Sequence, residues 1–154
     1  MAEKVDTSDV DTRVVDGFAS QSFMTTLGAE VVEAGKGSVR VRFRRQEGLT
    51  QQHGFLHAGV STAIADSACG YSALSMAPRD ADVLTIEFKS NFLRPAAGDV
   101  FEARGRVVKP GTQIMVCECE VWETEPRQHL IMTMTATMFI MHARDDRGPD
   151  RARP

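Results

Sequence analysis

The sequence is poor in the features that mark disulfide-rich, nucleic-acid-binding and membrane-spanning proteins. Its 154 residues include 3 cysteines, a sparse and odd set that favours reduced core thiols over a disulfide framework. A net charge of -3 supplies no basic field for nucleic acid. No apolar run approaches a membrane span, and the first residues are acidic and polar, unlike a secretory signal. We therefore expect a cytoplasmic protein with neither nucleic acid nor membrane as a partner.

Length and composition are those of one globular domain. The chain is 42% hydrophobic and 25% charged, which is ordinary for a folded protein. A chain of this length can bury a full core. Both ends are polar or charged and lack periodicity. We predict a disordered N-terminus at residues 1–12, a single domain at residues 13–141 and a disordered charged tail at residues 142–154.

Residues 51–76 form the stretch around which the chain is organised. They contain no proline, lysine, arginine or glutamate, and Asp66 is their one charged side chain. This pattern predicts a buried helix from about His57 to before Pro78, about 30 Å long at ~1.5 Å per residue. Small residues fill the gaps and allow a sheet to approach the helix backbone closely. The apolar residues recur at helical spacing: Val60, Ile64, Ala68, Tyr71 and Leu74.

Asp66 does not fit a purely apolar helix, because burying an unpaired carboxylate costs several kcal/mol. Either it bonds a neighbouring hydroxyl such as Thr62 or Ser67, or it is a catalytic carboxylate in a dry cleft. We favour the catalytic role. The helix start gives a second signal, since its free N–H groups and positive dipole end follow a glycine and small residues. Such an arrangement suits an oxyanion hole.

The spacing of these two features constrains how they work together. His57 and Asp66 are nine residues apart, which is about half a turn in direction and about 13 Å along the helix. They cannot serve one small reacting centre within one chain. If both matter, a second copy of the helix runs antiparallel nearby. The spacing therefore predicts a two-fold dimer with two shared sites.

Strands are predicted on both sides of this helix in the sequence. A short helix at residues 14–24 precedes a hairpin of strands at residues 29–34 and 38–44, whose alternating arginines we assign to a solvated face. After Pro78 the period changes to two. Short turns favour antiparallel neighbours, and one helix can cover the sheet only if the sheet curls around it. The later strands are predicted at residues 82–93, 100–109, 112–124 and 130–141.

Side-chain alternation indicates which faces of two of these strands are buried. In the first, Leu84, Ile86, Phe88 and Phe92 alternate with polar residues. In the last, an apolar face is predicted to pack on the helix as core rather than to form a cofactor site: Met132, Met134, Ala136, Met138 and Ile140.

This order and these residues resemble the hotdog fold and its PaaI-like thioesterase branch, over about residues 14–141. The family's Asn-x-x-Gly-x-x-His-Gly-Gly motif is matched by QQHGFLHAG at residues 51–59, with Asp66 following at the expected distance. Residues 85–96 and 107–111 are similar to its third strand and next turn. Gln51 and Ala58 depart from the motif's Asn and first Gly. The resemblance implies an α+β fold, an antiparallel sheet of five to six strands wrapped around one long central helix.

The resemblance also implies a function, hydrolysis of an acyl- or aryl-coenzyme A thioester to free acid and coenzyme A, with no further cofactor. Asp66 of one protomer acts as general base or nucleophile. The Ala58 N–H and Gln51 of the other polarise the carbonyl. Thr85 lies near the water, and His57 either orients the turn, contacts the carbonyl or is structural. Further expected substrate-binding residues are Gly54, Gly59, Arg94, Arg106, Lys109 and Gly111.

Other assemblies and activities remain open at this point. The resemblance implies a homodimer and a homotetramer. A non-catalytic acyl-coenzyme A-binding protein and a hotdog dehydratase or hydratase are the alternatives, although the Gln51 donor favours hydrolysis. His53 and His57 have the spacing of a metal-ligand pair, but no glutamate follows His53, so no metal is expected.

Overall fold

One long helix and a six-stranded antiparallel sheet form the core, as the α+β prediction requires. The computed structural model describes residues 12–142, and the predictions for residues 1–11 and 143–154 lie outside that range. The elements in chain order are α1 (Thr12–Ser20), α2 (Ser22–Thr26), β1 (Glu30–Gly35), β2 (Ser38–Arg44), a 3₁₀ turn (Glu47–Leu49), α3 (Ala58–Leu74), β3 (Ala81–Phe92), β4 (Val100–Lys109), β5 (Ile114–Glu125) and β6 (His129–His142).

The predicted N-terminal helix is two helices rather than one. Gln21 separates α1 from α2 because its backbone is extended, with φ -74 and ψ 105. Ser20 reinforces the break, since its hydroxyl donates to the Gly17 carbonyl at 2.7 Å. The break leaves Gln21 between the two helices.

Helix α3 is buried on one side and partly open on the other. Gly105 of β4 shows how closely the sheet approaches, because a Cβ there would lie 2.6 Å from the carbonyl of Ala68. The predicted close approach is therefore confirmed. The prediction that α3 is buried on all sides is wrong for a single chain, since the flank that carries Asp66 is only partly buried. The fully buried residues of α3 are Val60, Ser61, Ile64, Ala65, Ala68, Cys69, Ser72 and Ala73.

Strand β3 lies at an edge of the sheet, where the sequence did not predict it. The strand order is β1-β2-β4-β5-β6-β3, so β3 pairs with β6 and not with β4. The link at residues 93–99 is a crossover along the end of the sheet and not a turn between neighbours. Backbone hydrogen bonds fix its course, from Leu93 N–H to Ile131 C=O at 2.8 Å and from Leu56 N–H to Ala96 C=O at 3.0 Å.

A β-bulge interrupts the predicted alternation of β3. Thr85 pairs with Met138 and Glu87 with Thr137, which leaves Ile86 as the additional residue. Thr85 faces the helix before the bulge, and Phe88 and Phe92 face it afterwards. The predicted single face of Leu84, Ile86, Phe88 and Phe92 is therefore wrong. All four remain 43% to 54% exposed, and β3 has a paired neighbour on one edge only within residues 12–142.

The predicted core face of β6 is confirmed, with Met132, Ala136 and Ile140 inaccessible to solvent. Cys69, Cys117 and Cys119 are buried free thiols. Among the helices of residues 12–142, none is long and apolar enough to cross a membrane.

Candidate functional site

A tight turn leads the chain into α3. The Gly54 N–H donates to the Gln51 carbonyl and the Gln51 N–H donates to the Phe55 carbonyl, both at 2.9 Å. Gly54 has φ +81, a conformation that side chains other than glycine rarely adopt. Its role is therefore the backbone shape of the turn, which sets the position of Gln51.

His57 is the N-cap of α3. Its Nδ1 accepts a hydrogen bond from the Gly59 N–H at 2.9 Å, so the proton of the neutral ring lies on Nε2. A Cβ on Gly59 would lie 3.0 Å from that Nδ1, which explains why glycine suits the position. Of the roles predicted for His57, the contact supports orientation of the turn.

Two hydrogen-bond donors remain at the helix start. Within residues 12–142 no acceptor contacts the Ala58 N–H. The Gln51 Oε1 accepts from the His53 N–H at 2.6 Å, which leaves the amide NH₂ of Gln51 to donate. Ala58 is the first helical residue, and a helical backbone needs no glycine. The methyl group at this departure from the family motif therefore causes no backbone strain.

These donors line a cleft of about 580 Å³, here called the helix-start cleft. The other wall is formed by Phe92 at the end of β3 and by residues 93–96 of the crossover. Arg94 is held at this wall, since its Nη1 donates to the Leu130 carbonyl at 2.8 Å. Sequence reasoning named Arg94 but no other residue of this crossover, because it expected a short turn between adjacent strands at residues 94–99.

Asp66 lies on the opposite side of α3, in a second cleft of about 420 Å³, here called the Asp66 cleft. Its Oδ1 accepts a hydrogen bond from the Thr85 hydroxyl at 2.8 Å. The partner is therefore Thr85 and not Thr62, which bonds the Ala58 carbonyl instead. Burial raises the pKa of Asp66 above its usual value, and the Thr85 hydrogen bond partly opposes that rise. A carboxylate of raised pKa is a stronger base at neutral pH.

The two clefts share no lining residue, as the half-turn spacing predicts. The Asp66 cleft also contains Gln21 and Tyr71, which sequence reasoning did not place there. No signal in the sequence identifies Gln21, because it joins the cleft through the long-range packing of α1 on α3. Tyr71 shares the helical periodicity of the core and was assigned to it.

The remaining predicted binding residues lie elsewhere. Arg106 forms an ion pair with Glu118 across β4 and β5. Gly111 is required by a tight turn, since a Cβ there would overlap the Ile114 carbonyl. Lys109 is exposed at the end of β4. This end of the sheet adjoins the C-terminal end of α3, away from Arg94, and none of the three residues lines either cleft.

Within residues 12–142, no group of three or more His, Cys, Asp and Glu side chains is arranged to hold a metal ion. The helix-start cleft offers hydrogen-bond donors, and the Asp66 cleft offers a partly desolvated carboxylate. Together they suit the addition of water to a carbonyl group.

Known proteins resemble this chain in sequence and in structure. Residues 53–129 match the family model of the thioesterase superfamily. The crystal structure of a thioesterase family protein from Silicibacter pomeroyi is 44% identical, with a TM-score of 0.84, covering 86% of this chain and 98% of that one. The 1,4-dihydroxy-2-naphthoyl-CoA hydrolase of Listeria monocytogenes is 26% identical over 119 residues, 77% of this chain and 95% of the relative.

A third comparison concerns the fold. The E. coli PaaI protein, from the phenylacetic acid degradation operon, has a TM-score of 0.72 at 20% identity. The match covers 80% of this chain and 87% of that one. At this identity the likeness establishes a common fold.

Proposed function

This chain belongs to the thioesterase superfamily and is a thioester hydrolase, and we propose that it hydrolyses an acyl- or aryl-coenzyme A thioester at a site shared by two protomers. The named activity of the Listeria relative, hydrolysis of an aromatic coenzyme A thioester, supports this substrate class.

One observation carries the proposal. The donors at Ala58 and the carboxylate of Asp66 occupy separate clefts on opposite sides of α3. Each cleft holds half of what hydrolysis needs, so a single chain is incomplete. The partly open flank of α3 and the exposed apolar side chains of β3 are surfaces that a second copy can cover. A two-fold axis beside them would bring Ala58 of one protomer to the partner's Asp66.

In the proposed reaction, the thioester oxygen accepts hydrogen bonds from the Ala58 N–H and the Gln51 amide. The partner's Asp66 takes a proton from water as the water oxygen attacks the carbonyl carbon. The negative charge that develops on the thioester oxygen is stabilised by the two donors and by the dipole of α3. The intermediate then expels the thiolate of coenzyme A, which takes up a proton. Alternatively, Asp66 attacks the carbonyl carbon directly and the thiolate of coenzyme A is expelled, after which water cleaves the resulting anhydride.

Arg94 is the cation best situated for the phosphates of coenzyme A, because it borders the helix-start cleft. Roles for Arg106, Lys109 and Gly111 in binding remain predictions. Assembly of two dimers into a homotetramer and a cytoplasmic location also remain predictions.

The test is complementation between two inactive variants. Asp66→Asn removes the carboxylate. Ala58→Pro removes the N–H donor and suits the first position of a helix. His57 has the extended backbone that a following proline requires, with φ -65 and ψ 134. The two variants, carrying different tags, are co-expressed and the mixed dimer is isolated.

A mixed dimer combines one intact site with one doubly substituted site. It should regain about half of the wild-type rate of thiol release per dimer. Each variant alone, carrying both tags and purified identically, is the control and should remain inactive. A mixed dimer with no more activity than its parents would refute the shared site. A single turnover in ¹⁸O-labelled water distinguishes the two roles of Asp66. A general base directs the label into the product acid, whereas a nucleophile whose anhydride is hydrolysed at the Asp66 carbonyl retains the label on Asp66.

A further inference from the structure

One buried hydroxyl of α3 lacks a hydrogen-bond partner and borders the helix-start cleft. Ser61 is only 2% exposed, and it lines this cleft together with Ala58 and Gln51. Within residues 12–142 its hydroxyl forms no hydrogen bond. A buried polar group that is left unpaired costs free energy. A molecule bound in the cleft is therefore the partner that this hydroxyl lacks.

Other hydroxyls of α3 are satisfied by the helix itself. The Ser72 hydroxyl donates to the Ala68 carbonyl, four residues earlier, at 2.7 Å. Thr62, next to Ser61 in the chain, donates in the same way to the Ala58 carbonyl at 2.9 Å. This is the usual bond of a serine or threonine inside a helix. Ser61 does not make it, so its proton remains available to a ligand.

Helix geometry places Ser61 close to the donors at the helix start. It follows Ala58 by three residues, which is about 4.5 Å along the axis and about 60° from the same direction. The Cα–Cβ bonds of a helix tilt toward its N-terminus, so the Ser61 side chain extends back over the turn that begins at Ala58. A thioester oxygen bound to the Ala58 N–H therefore lies on the side of the helix that Ser61 also borders.

The surroundings of Ser61 suit a hydrogen-bond donor and not a nucleophile. A serine nucleophile needs an adjacent base to take its proton. Among the described residues that line this cleft, the one imidazole is that of His57, and its Nδ1 already accepts from the Gly59 N–H. No carboxylate of the described chain lines the cleft, and in the proposed reaction the partner's Asp66 takes its proton from water. The Ser61 proton therefore stays on its oxygen.

We infer that Ser61 is a further catalytic residue, which donates a hydrogen bond to the thioester oxygen once that oxygen becomes negatively charged. This inference rests on the proposed thioester hydrolysis and adds a residue to the same site. The oxygen of the intact thioester has two lone pairs, which accept from the Ala58 N–H and the Gln51 amide. When the water oxygen bonds to the carbonyl carbon, the electron pair of the C=O π bond moves onto the thioester oxygen as a third lone pair.

The Ser61 hydroxyl donates to this third lone pair and forms no covalent bond. The electron pair returns to the carbonyl when the thiolate of coenzyme A leaves, and the hydrogen bond to Ser61 is then lost. A donor used only after water has added stabilises the transition state and not the bound substrate. Loss of such a donor lowers kcat and kcat/KM together and leaves KM unchanged.

The experiment compares Ser61→Ala with the wild type in thiol release from acetyl-, hexanoyl-, palmitoyl- and benzoyl-CoA. On the best substrate, kcat and kcat/KM should both fall by about 10-fold to 100-fold. The melting temperature should stay the same or rise, because the substitution removes a buried hydroxyl without a partner. Ser72→Ala is the matched control, since Ser72 is also buried in α3 and lines neither cleft. It should keep the wild-type kcat.

A second measurement isolates the uncharged state of the oxygen. In S-acetonyl-CoA a CH₂ group separates the sulfur from a ketone, so the compound cannot be hydrolysed and its oxygen remains neutral. Its inhibition constant should differ by less than about twofold between the wild type and Ser61→Ala. Weaker binding of this analogue, or a raised KM at unchanged kcat, would make Ser61 a ground-state contact and overturn the inference.

Two further results would reject the role of Ser61. One is a wild-type kcat in Ser61→Ala, and the other is a loss of kcat with a melting temperature several degrees lower, which would make Ser61 structural. If the wild type cleaves no coenzyme A thioester, the proposed function has failed and this inference fails with it. Wild-type turnover that Ser61→Ala leaves intact overturns the inference alone, so the two failures are distinguishable.

Discussion

The two clefts beside α3 differ in how the fold produces their chemistry. The helix-start cleft offers N–H groups that every helix leaves unpaired at its first turn. Here the His57 cap takes up the Gly59 N–H, and the Ala58 N–H remains available. The Asp66 cleft depends on one side chain whose pKa is raised by burial. The first site is provided by the backbone, whereas the second depends on the packing around a carboxylate.

In the proposed reaction, one helix supplies both parts of a hydrolytic site without holding a complete one. The backbone donors are confined to the end of α3, whereas Asp66 lies in its middle, where partial burial beside Thr85 of β3 desolvates the carboxylate. The donors and the carboxylate therefore lie at different positions along α3 and on opposite sides of it. Substitutions that alter one cleft and leave the other unchanged test this contrast. If every substitution altered both clefts alike, the contrast would be wrong.

The largest effect is expected from Asp66→Asn. Loss of the base should reduce kcat by about 10²-fold to 10⁴-fold. Thiol release from a panel of short, medium, long and aryl acyl-coenzyme A substrates measures it. Asp16→Asn on the exposed face of α1 is the matched control and should retain wild-type turnover.

The same substitution should also change stability, in a direction set by the raised pKa of Asp66. Because burial favours the protonated carboxyl, the ionised form opposes folding at neutral pH. Asp66→Asn should therefore be as stable as the wild type or more stable near pH 7. Below the unfolded pKa of about 3.8, the Asp66 carboxyl is protonated in both the folded and the unfolded protein. The stability gained by Asp66→Asn should therefore disappear. Thermal unfolding measured at both pH values provides the comparison, and a large loss of stability at pH 7 would mark Asp66 as structural.

The second largest effect is expected from Ala58→Pro. Removal of one oxyanion donor typically reduces kcat by about 10²-fold to 10³-fold, and proline at the first helical position should leave the melting temperature nearly unchanged. Ala58→Gly keeps the N–H and is the matched control. It should retain activity, since the position has a helical backbone. Equal losses in both variants would assign the effect to the methyl group.

A smaller effect is expected from Thr85→Ala, chiefly in the pH profile. Hydrolysis needs Asp66 ionised, so kcat/KM should fall as pH decreases through the pKa of Asp66. The Thr85 hydrogen bond lowers that pKa, so its removal should move the acidic limb of the profile to higher pH. Ala58→Gly should keep the wild-type limb. An unchanged limb in Thr85→Ala would show that another group controls the profile.

The smallest effect is expected from Arg94→Ala, which should raise KM for coenzyme A thioesters several-fold, about 1 kcal/mol of uniform binding, with kcat little changed. Arg106→Ala should change KM less, because Arg106 lies away from both clefts in an exposed ion pair with Glu118. The comparison is made with full kinetic curves at constant ionic strength. A larger effect for Arg106 would move the nucleotide site to the opposite end of the sheet.

Several features of the fold follow from local pattern. The spacing of residues 51–76 predicts α3, and alternation predicts β2 and β4 to the residue, because periodicity reports which side chains one element buries. The separation of Ala58 from Asp66 follows in the same way, since helix geometry alone fixes it. For these residues, the sequence by itself determined position and direction.

Tertiary structure decided what depends on distant partners. The edge position of β3 required the crossover at residues 93–99, and the bulge at Ile86 reversed which side chains of β3 face α3. No local period records either choice, because both arise when the sheet curls around the helix. Likewise, the Thr85 hydroxyl meets Asp66, and the ring of Phe18 meets Tyr71, only when β3 and α1 pack against the partly buried flank of α3. Hydrogen bonds between segments far apart in the chain are set by packing, and periodicity carries no information about them.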